Sequence, residues 1–423
     1  MTSTNANRTR VFSIAGCLMV QLCVGIIYLW SVFKTPVAAS YGCAPEALSM
    51  VSSFMLTAFV VGTLLGGILG DRKGPRLTCL VGVAVFSLGI GATAWLTPGT
   101  IALINLTYSI LGGLGSGLAY SACISCIQKW LPERRGLATG LAVASFGLST
   151  VVFTPVSKLL MTACTSAVTG LVDFRLVFTI LALVFLVLGM AGCLMIHSAP
   201  QSAPTAGAAV RTEVDIPLYQ AVRTPQFWCI FFTVFFINGT WNLTVPVLYD
   251  LGVERGLTAA AATFAVSFTG VANTAGRLVM ATLSDKLGRR GCICLLSVMT
   301  AAAALAMIFV GGYGYIAAVA VIAFAYGGPS SINAAMTTDY FGSRSSGANY
   351  GVVMLALGLS SLFFNTLSAT VLNGNLALSF VAAAISAVVP LALMAAIGQP
   401  PASIAERAVR RSLSGLRVSP HGA

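Results

Sequence analysis

The chain has 423 residues, 57% of them hydrophobic and 8% charged. Soluble proteins carry about 25% charged residues, so a soluble fold is excluded. The 23 Lys and Arg outnumber the 11 Asp and Glu. They sit in short gaps between apolar stretches, which is the pattern of membrane-topology signals and not of a nucleic-acid surface.

A membrane helix needs ~20 apolar residues. Twelve such stretches follow one another, at about 11–36, 49–70, 76–97, 100–126, 136–160, 174–196, 225–249, 258–283, 291–311, 313–336, 346–370 and 376–398. The first is too long for the apolar region of a signal peptide and reads as a retained span. After the sixth, Ser198 to about Arg223 is rich in Ala, Pro, Ser and Thr and reads as a flexible connection. The expected fold is an all-α integral membrane protein of two six-helix bundles, with pseudo-symmetric halves at 1–197 and 224–400. A linker at 198–223 joins them, and a tail follows at 401–423.

With the N-terminus inside, the inner segments hold Arg8, Arg10, Arg72, Lys73, Arg76, Lys129, Arg134, Arg135, Arg211, Arg223, Lys286, Arg289, Arg290, Arg344, Arg407, Arg410, Arg411 and Arg417. The outer segments hold Lys34, Lys158, Arg175 and Arg255. Eighteen against four predicts cytoplasmic termini and a cell (plasma) membrane location.

The halves echo each other. Gly67-Ile-Leu-Gly-Asp71-Arg72-Lys73-Gly74-Pro75-Arg76 follows the second stretch, and Ala281-Thr-Leu-Ser-Asp285-Lys286-Leu-Gly288-Arg289-Arg290 follows the eighth, with the two Asp 214 positions apart. Gly136, Gly140, Gly147, Leu148 and Ser149 recur 211 positions later as Gly347, Gly351, Gly358, Leu359 and Ser360. Such duplication points to a transporter with its site between the halves.

The Gly-x-x-x-Asp-x-x-Gly-x-Arg loop resembles the signature of the major facilitator superfamily, with Ala281 in place of the first Gly of the second copy. Further segments resemble the oxalate/formate antiporter family, which is related to the monocarboxylate transporters. They are Gly25 to Phe33, Lys129 to Gly140, Thr224 to Trp228, Asn273 to Arg277, Asp339 to Gly342 and Ala348 to Gly351. The likeness covers nearly the whole chain.

Arg277 is the one ionisable residue in the run Val266 to Leu283. A guanidinium at the bilayer centre costs about 2.5–3.5 kcal/mol on insertion scales, so it faces a cavity or an opposite charge. All eleven acidic residues fall in loops, tails or helix ends, with the depth of Asp250 open. The expected partner is therefore the substrate, and a guanidinium matches a carboxylate bidentately. Asn273 lies one helical turn before Arg277. The resemblance to monocarboxylate transporters implies an Asp at this place for proton coupling; the amide here cannot titrate. Tyr28, Trp30, Tyr120, Phe324 and Tyr326 are candidates for the cavity wall, with packing an equal alternative for any one of them. The resemblance to oxalate carriers implies a second cation near Leu357, and no Lys or Arg occurs from Ser345 to Glu406. Gly112 to Gly117 superficially suggests a nucleotide loop, but close helix packing explains it better.

For gating, Asp71 and Asp285 are expected to pair with nearby Arg and with the N-terminus of another helix, whose dipole favours negative charge. Arg72, Arg76, Arg134, Arg289 and Arg290 are the candidate partners. Eleven Cys and two His show no metal-ligand spacing, and Cys123 and Cys126 read as packing residues. The expectation is a monomeric carrier of small organic anions, chiefly monocarboxylates, favouring exchange, with no cofactor and no nucleic-acid partner. A proton-coupled symporter and a transporter-like ligand sensor are the rivals; nothing indicates an enzyme.

Overall fold

The computed structural model describes residues 3–44, 48, 50–166, 169–199, 215–244, 248–371 and 375–398; for Tyr28 and Asp250 only the backbone is described. Among the described residues the regular elements are helices joined by turns and loops, with one isolated bridge between Thr165 and Val172.

In the first half these are α1 (Ser3–Val24), α2 (Trp30–Tyr41), α3 (Val51–Lys73), α4 (Pro75–Thr93), α5 (Gly112–Trp130), α6 (Arg135–Ala163) and α7 (Phe174–Met195). A short α8 (Leu218–Ala221) precedes the second half. That half comprises α9 (Pro225–Thr244), α10 (Leu248–Glu254), α11 (Ala259–Leu287), α12 (Arg289–Ala306), α13 (Gly312–Phe341), α14 (Ser346–Thr370) and α15 (Leu376–Ala396). Ten helical stretches among the described residues are long and apolar enough to cross a membrane. The other two expected stretches are helical as well. The first is interrupted at Gly25 and by a 3-10 turn over Ile26–Leu29; the second is α11, which carries Asn273 and Arg277.

The turns explain the breaks. Gly74 sits at φ +90° between α3 and α4, and Gly288 at φ +86° between α11 and α12. Each glycine N–H closes the preceding helix at 3.1 Å, onto Gly70 O and Ser284 O respectively. A side chain at that φ would be strained, so glycine supplies the reversal in both repeats. Gly25 packs so closely on the Phe146 carbonyl of α6 that a Cβ would collide with it.

The expected flexible connection is only partly so. Residues 200–214 lie outside the described residues. From Asp215 onward the chain docks on the second half. Arg344 N donates to Asp215 Oδ1 (2.8 Å), Ile216 N to Phe341 O (2.8 Å), and Asn349 Nδ2 to Ile216 O (3.0 Å). Buried Ile216 and Ala221 supply the apolar contacts that composition alone conceals.

Within the first half α3 and α4 pack on α5, and α7 on α1 and α4; within the second α11 packs on α13, and α15 on α9 and α12. The glycines of α5 act as close-packing residues: a Cβ on Gly117 would strike the Phe59 carbonyl of α3. Large apolar side chains such as Leu159, Val187, Leu362 and Ile385 face outward.

Two seams join the halves, α3 against α14 and α6 against α11. The sequence echoes make both. Gly347 and Gly351 of α14 press on Gly67 and Leu64 of α3, while Gly136 and Gly140 of α6 press on Ala281 of α11. Each seam thus pairs one echo of one half with the other echo of the other half.

Candidate functional site

At the centre, between the halves, lies a cavity of about 50 Å³. That is room for roughly three to five waters. The first half lines it with Ile27, Leu56, Phe59, Tyr120 and Phe146; the second with Val234, Asn238, Arg277, Tyr326, Ser330, Asn333, Tyr350, Met354 and Leu357.

Arg277 is 7% exposed. Its Nε donates to Asn273 Oδ1 at 2.7 Å, the i−4 pairing expected on one helix face. One terminal nitrogen donates to the carbonyl of Val143 on α6 at 3.0 Å, reaching across to the other half. Gly276 and Gly327 let α11 and α13 approach here: a Cβ on either would meet backbone of the facing helix, at Phe324 and Asn273. Among the described residues no carboxylate forms an ion pair with Arg277. Asn273 spends its amide oxygen on the guanidinium, so it holds the cation in place and does not itself appear in the wall.

Tyr120, Tyr326 and Leu357 line the cavity. Tyr326 stacks on Trp241, with ring centroids 4.4 Å apart and planes 8° apart. Tyr120 and Tyr350 face the cavity from opposite halves, and the Tyr350 hydroxyl donates to Ser330 O at 3.2 Å. Two candidates fall elsewhere. Trp30 is buried in the first half, its Nε1 donating to Leu48 O (3.1 Å) and its ring 5.0 Å from that of Tyr108. The helix break at Gly25 directs it there. Phe324 packs against the core and is absent from the cavity wall. It lies two residues from Tyr326 on one helix, about 200° around the axis, so both cannot face the same space. The side chain of Tyr28 lies outside the described residues.

The carboxylates of the two echoed loops reach helix N-termini in the opposite half. Asp285 accepts from Gly136 N and Leu137 N of α6, both at 2.8 Å. It also pairs with Arg289 at 2.7 Å. Arg289 Nε meets Asp339 at 2.9 Å, and Arg135 reaches the same carboxylate at 3.1 Å. Asp71 accepts from Ala348 N of α14 at 2.9 Å and pairs with Lys129 at 3.3 Å. The halves are therefore tied together at the end that carries these basic loops.

The cation assignments change in detail. Arg135, not Arg134, makes the ion pair: α6 begins at Arg135, whereas Arg134 ends an exposed 3-10 turn. Arg290 donates to the Tyr340 hydroxyl (Nε at 3.0 Å) inside its own half. Arg72 and Arg76 are exposed and have no ion pair among the described residues. Lys129 and Asp339 were missed as partners, as were Asn238, Ser330, Asn333 and Tyr350 in the wall. Tyr326, Ser330 and Asn333 stand at i, i+4 and i+7, a one-face spacing that was available as a signal.

Two pseudo-equivalent helical bundles, joined by glycine seams around a small cavity with one buried cation, define a membrane carrier. The profile of the Major Facilitator Superfamily matches residues 14–365, and the chain belongs to that superfamily. It is an integral multi-pass membrane protein. Among known proteins it is 28% identical over 371 residues to the MFS-type transporter YhjX of Escherichia coli K12, covering 86% of this chain and 88% of the relative. It is 26% identical over 376 residues to the oxalate:formate antiporter of Oxalobacter formigenes (85% and 84% covered). To the apicoplast pyruvate carrier 1 of Toxoplasma gondii it is 24% identical over 465 aligned positions (86% and 84% covered). The fold matches the solved structure of the transporter FucP in its outward conformation, at a TM-score of 0.70 and 14% identity, over 92% of this chain and 98% of that one.

Proposed function

We propose that the protein carries small monocarboxylates by alternating access, with exchange favoured over net flux, and that its basic end faces the cytoplasm of a cell membrane. The observation that carries this reading is the buried guanidinium of Arg277 on the cavity wall, with an amide and a carbonyl as its bonded partners and no carboxylate among the described residues. A desolvated cation without a protein counter-ion is completed by an anionic ligand. Among the described residues lining the cavity Arg277 is the one that is charged, and Leu357 stands where a second cation was expected. One cation neutralises one carboxylate, so a monocarboxylate suits the site better than a dianion. The names of two relatives, an oxalate:formate antiporter and a pyruvate carrier, agree with a small carboxylate.

Exchange follows from electrostatics. Closing the empty site buries a charge without a counter-ion, and a bound carboxylate removes that barrier. Proton symport through a side chain finds no support, because among the described residues no Asp, Glu or His lines the cavity. In the proposed cycle the Asp71 and Asp285 clamps hold the basic end closed, and their release opens it.

The test is Arg277→Gln in proteoliposomes preloaded with unlabelled carboxylate. Uptake of labelled acetate or pyruvate should fall at least ~100-fold, as for loss of a hydrogen-bonded charge pair worth about 3 kcal/mol or more, while the variant still inserts and purifies as a folded protein. Near-normal uptake would sink the anion site. Wild-type uptake that ignores preloading and follows an inward proton gradient would favour the symport alternative.

A further inference from the structure

A second, larger opening lies at the basic end of the first half. The start of α1 and the turn between α5 and α6 enclose a groove of about 490 Å³. Arg10 lines it from α1, Glu133 and Arg134 from the turn, and Trp130 and Leu137 from the helix ends beside that turn. Two guanidinia and one carboxylate leave one net positive charge. Arg10 and Arg134 are exposed, and neither forms an ion pair among the described residues. The neighbouring Arg135 is committed to Asp339 (3.1 Å). The indole N–H of Trp130 already donates to His197 O (2.9 Å), so Trp130 serves the groove as wall and not as donor.

The level of the groove is set by α1. Arg10 stands immediately before the first apolar stretch, and the next two residues, Val11 and Phe12, are 61% and 44% exposed. Arg8 lies over the Phe12 ring, 5.6 Å from its centroid. Within one turn the helix passes from guanidinium groups to outward apolar side chains, the order in which a bilayer presents headgroups and acyl chains. A guanidinium fork matches phosphate oxygens, and basic pockets between membrane helices suit anionic headgroups. We propose that this groove holds the headgroup of one anionic phospholipid, with its phosphodiester between Arg10 and Arg134 and headgroup hydroxyls donating to Glu133. The single net charge of the lining balances one phosphodiester. Leu137 gives its backbone N–H to Asp285 (2.8 Å), so the lipid sits on the end of α6 that the clamp grips. The lining belongs to the first half alone, so the lipid stays bound while the halves separate. The site is independent of the substrate reading.

The experiment titrates the purified protein in detergent with phosphatidylglycerol and, separately, with phosphatidylcholine, and counts bound lipid by native mass spectrometry. One phosphatidylglycerol is expected to bind at least ~10-fold more tightly than phosphatidylcholine, the range for two basic side chains at a membrane surface. The Arg10→Gln/Arg134→Gln double variant should bring that preference to within about threefold. An Arg72→Gln/Arg76→Gln variant, which removes two exposed cations outside the groove, should keep it. Inorganic phosphate in large excess should leave the lipid bound, because it offers nothing to the apolar side chains of α1. Equal binding of the two lipids by the wild-type protein overturns the proposal. So does an equal loss in both double variants, which marks a diffuse basic surface, and so does displacement by phosphate, which marks a site for soluble anions. No transport is measured, so each of these outcomes leaves the Arg277 reading untouched.

Discussion

Along the α3/α14 seam, Asp71 takes the Ala348 N–H and an ion pair to Lys129, whose side chain is 31% exposed. Along the α6/α11 seam, Asp285 takes two N–H groups and Arg289, and Arg289 continues through Asp339 to Arg135. Deeper in, α11 carries Arg277 where α3, by the 214-residue repeat, carries Thr63, whose hydroxyl bonds its own helix at Phe59 O (2.8 Å). Duplication therefore built a symmetric frame, while charge was concentrated in one seam. On α11 the cation and the clamp are eight residues apart, ~12 Å along one rigid helix at 1.5 Å per residue. On the proposed reading, a ligand at Arg277 would act on the same element that carries Asp285.

The strongest way to break this comparison is to neutralise each clamp in turn. Asp285→Asn should slow exchange by roughly 10–100-fold, as expected for bonds to a charged group worth about 1.5–3 kcal/mol. Asp71→Asn should slow it only several-fold, since its ion pair is longer and wetter. Substrate binding in detergent should change less than ~3-fold in either variant, because both sites lie away from the cavity. Equal slowing by the two variants would erase the difference between seams, and loss of binding instead of rate would remove the clamps from gating.

A finer contrast uses the glycines. A Cβ on Gly147 would lie 3.2 Å from Thr274 Oγ1 and 3.5 Å from a guanidinium nitrogen of Arg277, whereas one on its echo, Gly358, meets only Val60 at 3.8 Å. Gly147→Ala should raise the apparent KM several-fold, on the order of 1 kcal/mol of crowding, and Gly358→Ala should stay within about twofold. A larger defect at Gly358 would show that the apolar seam is the more sensitive one.

The smallest expected effect is at Lys129. Lys129→Gln should slow exchange by less than about fivefold, the range of an exposed pair. Raising the salt concentration should slow the wild-type protein towards the variant's rate. A salt-independent defect of tenfold or more would mean that Lys129 does more than pair with Asp71.

Much of the fold and of the candidate site is legible in the sequence. The twelve apolar stretches are helical because length and hydropathy are local properties. Arg277 stood out as a lone charge in an apolar run, and Asn273 followed from helical spacing. The clamps were legible because two copies of a loop at matched positions exceed chance. Orientation about a helix axis was harder. Trp30 was placed by depth alone, and the Gly25 break turned it into the core. Arg134 and Arg135 are neighbours in sequence but diverge where α6 begins. Ser330 and Asn333 share a helix face with Tyr326 by spacing, but Asn238 lies on a different helix, so only the fold brings it to their wall.

The bond from Arg277 to the Val143 carbonyl has an electrical consequence. A carbonyl offers a dipole, not a charge, so on the proposed cycle an empty carrier reorients with one net positive charge and a carrier holding a monocarboxylate reorients with none. Membrane voltage then acts on the empty leg alone, at ~2.3 kcal/mol for a full charge crossing 100 mV and proportionally less for a partial crossing. Swapping one monocarboxylate for another is electrically silent. A cycle that returns empty is not: an inside-negative potential draws the vacant site inward, favouring net efflux over net uptake.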